Sequence, residues 1–178
     1  MICVKEYESP LGYITLAAEG EALTGAWFKG QMYYMNNIRE YTLLSGSDGN
    51  EPLDKATLWL DRYFRGEAPK VTEMELAPAG TDFQKRVWQG LINIGYGEKI
   101  TYKELALEVF GKERRLSYQA VGSAVGHNPI AIIIPCHRVI GSDGGLHGYA
   151  GGLDRKEWLL KHEEKPDSRG IYIANSVI

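Results

Sequence analysis

A chain of 178 residues suits one domain or two small ones, with enough length to bury a core. Charged residues at 24% and hydrophobic residues at 44% are ordinary for a globular protein, and no apolar run approaches the ~20 residues of a membrane-spanning helix. Two cysteines, Cys3 and Cys136, exclude a disulfide framework and a paired-cysteine metal motif, and the start Met1-Ile2-Cys3-Val4-Lys5-Glu6 lacks a signal-peptide pattern. A reducing, cytoplasmic setting without membrane attachment is therefore expected. The net charge of −3 hides an asymmetry. Residues 1–80 carry 7 Lys and Arg against 12 Asp and Glu, whereas residues 81–178 carry 13 against 11, so any contact with a polyanion belongs to the second half.

Tyr13 to Ala18 and Leu23 to Phe28 are strand-like runs separated by Glu19-Gly20-Glu21-Ala22, the pattern of a β-hairpin. Leu44 to Pro52 reads as a loop. Asp54 is expected to cap a helix through Phe64 that buries Leu58, Trp59, Tyr63 and Phe64 on one face and stops at Gly66. Ala77-Pro78-Ala79-Gly80 reads as a linker, and the charge balance changes there, so a domain boundary is placed at residue 80. Thr81 or Asp82 opens a helix whose stripe of Phe83, Val87, Trp88 and Leu91 reads as core.

Thr101 and Glu104 form a capping box for a helix ending near Phe110-Gly111, and Ser117 precedes a second short helix from Tyr118 to about Gly126. Together they resemble a helix-turn-helix whose second member is built of small residues. Ile132-Ile133-Ile134 reads as a buried strand that Pro135 ends, having no N–H to donate. Gly141 to Gly145 is a turn. Gly148-Tyr149-Ala150-Gly151-Gly152 is a loop that permits close backbone approach but lacks the lysine and spacing of a phosphate cradle. Asp154 is expected to cap a last helix from Arg155 to His162; Pro166 to Ile178 has no usable periodicity.

Cys136 is the candidate nucleophile. It follows the stop at Pro135 and has His137 and Arg138 beside it, a cationic flank that favours the thiolate. Neighbouring side chains on a strand face opposite ways, so His137 reaches the thiol only through a water or a bend after Pro135. On the residues alone, Glu163 is a candidate orienting carboxylate, but its reading as a solvated neighbour of Glu164 is the stronger one. His127, His147 and His162 have no ligand spacing with either cysteine and read as surface or packing residues; no metal is expected.

Three motifs then carry a resemblance: Ile134-Pro135-Cys136-His137-Arg138-Val139-Ile140, Gly148-Tyr149-Ala150-Gly151-Gly152-Leu153, and Lys156-Glu157-Trp158-Leu159-Leu160 with His162-Glu163. In this order, and with Thr81-Asp82-Phe83-Gln84, Gly97 to Leu105, and Ala120-Val121-Gly122 through Asn128-Pro129, the chain resembles the O6-alkylguanine-DNA alkyltransferases. The match is dense over about 81–164. It is looser over 1–80, where Ser9-Pro10-Leu11-Gly12 and the hairpin carry it.

The resemblance implies an α/β (α+β) protein. A small N-terminal α/β domain (1–80) precedes a mainly helical DNA-binding and alkyl-acceptor domain (81–165) and a tail (166–178). It implies a monomer that flips O6-alkylguanine, and by extension O4-alkylthymine, out of duplex DNA and takes the alkyl group irreversibly, without cofactor. By position, Cys136 is the acceptor, His137 its water-linked base and Glu163 the partner of His137. Asn128 braces the turn before the cysteine, and Tyr102 helps turn out the nucleotide and donates to the leaving guanine. The carbonyls of Cys136 and Val139 and the Ala150 amide read the base, with Tyr149 and Gly151 beside it. Tyr102, Gln119, Ala120, Gly122, Ser123 and Arg138 are expected on the DNA surface.

One position departs from the pattern. Gln119 stands where the family commonly has the arginine that fills the gap left by the flipped nucleotide, and Arg114 or Arg115 in the longer connection before it is the expected electrostatic substitute. Two other classes stay open. One is a lesion-binding module without catalysis, which the retained Cys136 disfavours. The other is a cysteine hydrolase using Cys136, His137 and Glu163.

Overall fold

The computed structural model describes residues 1–45, 48–112 and 117–164. Strands β1 (Ile2–Ser9), β2 (Gly12–Glu19) and β3 (Ala22–Phe28) form an antiparallel meander, and the short β4 (Thr42–Leu43) pairs parallel with β1, giving the order β3-β2-β1-β4. The expected hairpin is β2–β3; β1, whose burial does not alternate cleanly, extends it. Helix α1 (Glu51–Phe64) lies against this sheet. It begins three residues before the expected cap: Asn50 accepts from the Leu53 amide, and Asp54 sits in the first turn. Its buried face is Leu53, Ala56, Trp59, Leu60 and Tyr63, whereas Leu58, expected inside, is exposed.

Local capping dictates the next elements. Thr81 accepts from Gln84 and starts α2 (Asp82–Ile92); Thr101 accepts from Glu104 and starts α3 (Tyr102–Phe110); Ser117 accepts from Ala120 and starts α4 (Tyr118–Gly126). These three helices pack on one another as the helix-turn-helix unit. The last helix, α5 (Leu153–Glu163), differs from expectation at both ends. It has no side-chain cap, since Gly152 rather than Asp154 precedes it, and Glu163 is its final residue.

The isoleucine run is not a strand. Residues 131–134 form a tight turn in which the Ile134 amide donates to Ile130 O (3.0 Å) and Ile132 adopts φ 69°, a costly conformation for a β-branched residue. Their β-branched, apolar character made these residues look like a strand. The turn is fastened from the first half: Ala26 of β3 donates to Pro129 O (2.9 Å) and accepts from the Ala131 amide (2.8 Å). A second small ladder joins β5 (Ile100–Thr101) to β6 (Val139–Ile140) and sets the start of α3 beside the chain leaving the cysteine. The core is continuous across the two halves, from Leu16, Phe28 and Tyr63 to Trp88, Val121 and Ile134.

Candidate active site

Cys136, His137 and Arg138 form a 3₁₀ turn, which supplies the bend after Pro135. The turn is braced by Asn128, just past α4, whose amide nitrogen donates to Ile134 O (2.8 Å), Ile130 O (3.3 Å) and Cys136 Sγ (3.0 Å) while its oxygen accepts from the Ile130 amide. Cys136 is buried, and burial pushes its thiol up, opposed by the Asn128 hydrogen bond and the positive charge of Lys156. The thiol is therefore protonated at rest and needs a base.

His137 is fully buried, and burial lowers its pKa despite the pull of Glu163, so the imidazole is neutral. The Glu163 carboxyl is held well below the usual carboxylate range: burial opposes ionisation, but His137 and Arg138 outweigh it. An ionised carboxylate can only accept, so the 2.6 Å contact between His137 Nε2 and Glu163 Oε1 assigns the ring proton to Nε2. Nδ1 is left with its lone pair; it is buried and has no protein partner among the described residues. Glu163 is held in turn by Tyr63 Oη (2.7 Å), Arg138 Nε (2.7 Å), Arg138 Nη2 (3.0 Å) and the Gly97 amide (3.1 Å). Gly97 must be glycine on two counts: its φ is 77°, and a Cβ there would stand 2.8 Å from Glu163 O.

The other expected residues lie on α3, α4, β6 and the loop before α5. Tyr102 donates to His147 O (3.0 Å), and its hydroxyl pKa, pushed up to about 12 by burial and the nearby Cys136, keeps it a proton donor. Tyr149 is likewise raised, first by burial and then by Cys136. Val139 O accepts from Lys156 Nζ (2.6 Å), Ala150 stands in the loop before α5, and Gly151 is buried where a Cβ would meet Tyr149 and Phe28. Gln119, Ala120 and Ser123 are exposed on α4, with Gly122 half-buried.

Arg138 corrects the expectation. It is 6% exposed and its guanidinium is spent on Glu163 and on Ile94 O, so it braces the site from within and presents nothing to DNA. Arg114 and Arg115 lie outside the described residues, as does the 166–178 tail. Sequence reasoning missed Tyr63, one hundred residues from its partner, and Lys156, whose Nζ also donates to His147 O (2.9 Å) and whose pKa burial lowers to about 8. Lys156 stands in the charged run Asp154-Arg155-Lys156-Glu157, so no local signal set it apart.

Two family models cover this architecture. The 6-O-methylguanine DNA methyltransferase, DNA binding domain matches residues 82–165, and the ribonuclease-like domain of the same proteins matches residues 2–78. The methylated-DNA–protein-cysteine methyltransferase of Methanosarcina barkeri is 49% identical over 157 residues, 88% of this chain and 94% of that protein. The chain belongs to this methyltransferase family. Among solved structures, Mycobacterium tuberculosis O6-methylguanine methyltransferase superposes with a TM-score of 0.78 at 42% identity, covering 92% of this chain and 93% of that one. Mycobacterium tuberculosis OGT in complex with DNA gives 0.78 at 41% identity, covering 90% and 92%.

Proposed function

We propose that this protein repairs duplex DNA by moving the alkyl group of O6-alkylguanine to Cys136, once per molecule. The observation that carries the reading is the buried Asn128–Cys136 and His137–Glu163 assembly at the foot of a helix-turn-helix. A stacked guanine cannot bring its O6 substituent to a buried sulfur, so the base is turned out first. The exposed face of α4, with Gln119, Ala120, Gly122 and Ser123, enters the groove, where its small residues allow close approach.

The thiol proton passes through a water to His137 Nδ1, and Glu163 stabilises the resulting imidazolium. The thiolate attacks the alkyl carbon in line with O6; the S–C bond forms as the C–O bond breaks. The electron pair returns to the guanine, and Tyr102 supplies a proton to it as it leaves. Val139, Tyr149, Ala150 and Gly151 border the base. The product is a thioether, which has no carbonyl for water to attack, so Cys136 is not regenerated. O4-alkylthymine presents the same alkyl–oxygen bond and is a second substrate, and a monomer suffices because one chain supplies every group. The division near residue 80 separates the sheet-bearing half from the half that meets DNA.

Intact-mass analysis after incubation with O6-methylguanine duplex tests the reading. One added methyl group, mapped to Cys136 and not to Cys3, is expected, with Cys136→Ala binding but unreactive. Label on Cys3, or repeated turnover by one molecule, would refute it.

A further inference from the structure

The chain between β3 and β4 takes no part in the chemistry above, yet it reaches the active-site loop. The Met32 amide donates to Ala150 O (3.2 Å), and the Tyr33 ring lies on His127, at the end of α4, with centroids 3.9 Å apart and planes within 24°. Tyr33 (φ 61°) and Met35 (φ 49°) are both in the left-handed region, a strain that persists only where surrounding contacts hold it. Although large and apolar, Met32 is 62% and Tyr33 40% exposed. Both stand over a cavity of about 220 Å³ whose other walls are α4 and the loop Gly148-Tyr149-Ala150. A cavity of ~150 Å³ already accommodates a benzene ring.

We infer that Met32 and Tyr33 set the largest alkyl substituent this protein accepts; the inference rests on the alkyl-transfer reading. In an in-line displacement the sulfur, the reacting carbon and O6 are collinear, so anything else on that carbon projects sideways. Tyr149 and Ala150, which border the flipped base, form one wall of this cavity, and Met32 and Tyr33 form the opposite wall. A methyl group ends before reaching them. A benzyl group enters the cavity they close. They are specificity-determining residues that never touch the reacting atoms.

Single-turnover rates on duplexes carrying O6-methylguanine and O6-benzylguanine test this in the full chain. Met32→Ala and Tyr33→Ala should raise the benzyl-to-methyl rate ratio by about 10-fold or more, the range in which pockets discriminate a methylene. Met32→Trp should lower the ratio comparably, and Tyr33→Phe, which keeps the ring on His127, should leave it unchanged. If the ratio stays constant in all four variants, or both rates fall together, the segment only braces the loop and the inference is overturned. A wild-type protein that alkylates at no cysteine would overturn the transfer reading, and this inference with it.

Discussion

Glu163→Gln keeps the shape of the side chain and removes its charge, which separates packing from electrostatics. In the native protein the two oxygens accept from Tyr63, His137, Arg138 and Gly97, and every one of those partners is a donor. A glutamine amide can replace one oxygen only; its NH₂ must face a donor, and the Arg138 guanidinium loses its buried counter-charge. Breaking a buried pair in this way costs about 3–5 kcal/mol. For a protein of this size that lowers Tm by roughly 6–20 °C.

The kinetic consequence is separate: an amide neither fixes the Nε2–H tautomer of His137 nor stabilises its imidazolium, so transfer should slow by about 10²–10⁴-fold, the usual contribution of a positioned base. The pH dependence has a definite sign. Glu163 ionises at lower pH when folded than when unfolded, so its stabilisation is complete above about 4.5 and is lost as the pH falls below that toward the folded value. Glu163→Gln should lack this part of the acid sensitivity. Thermal melts from pH 3 to 7 and single-turnover quench-flow measure both effects. A variant with wild-type Tm and wild-type rate would refute the relay, and a stable but slow variant would show that Arg138 is not held as described.

Lys156→Met removes a buried ammonium that favours the thiolate; a neighbouring opposite charge typically moves a pKa by about 1–3 units, so transfer should slow by about 10-fold or more. Because Lys156 loses its proton near a pH of about 8, the wild-type advantage over Lys156→Met should shrink between pH 7 and 9, and an advantage constant across that range would count against an electrostatic role. Gln119→Arg should tighten binding to duplex DNA by about 1 kcal/mol, more at low salt than at high salt, as measured by fluorescence anisotropy titration. If salt does not alter the gain, the added charge is not near phosphate.

What the sequence disclosed is what nearest neighbours decide. The caps at Thr81, Thr101 and Ser117 are satisfied within three residues, so their helices start where the pattern places them. The isoleucine run went wrong because propensity was overridden from a distance: Asn128 and the edge of β3 take up its backbone groups and force Ile132 into a left-handed turn. Arg138 and Lys156 were illegible for the same reason. Long cationic side chains default to the surface, and only the folded arrangement of Glu163, Ile94 O, Val139 O and His147 O makes their burial affordable. The motif resemblance located Cys136, His137, Glu163 and Asn128, but not Tyr63, because no local pattern links α1 to the end of α5.

That link gives the N-terminal half a chemical purpose beyond support. Tyr63 on α1 fixes the carboxylate that fixes His137, and Ala26 on β3 clamps the chain on both sides of Ile130, two residues after Asn128. The resulting thiol is inert by default, because burial keeps its proton on. Under the proposed mechanism, reactivity depends on geometry at the moment of encounter, when His137 takes the proton and the electrophile within reach is one delivered into the site on a flipped base. For a protein consumed by a single event, such conditional reactivity matters more than a permanently low thiol pKa, because every stray alkylation of a standing thiolate would remove one molecule without repairing anything.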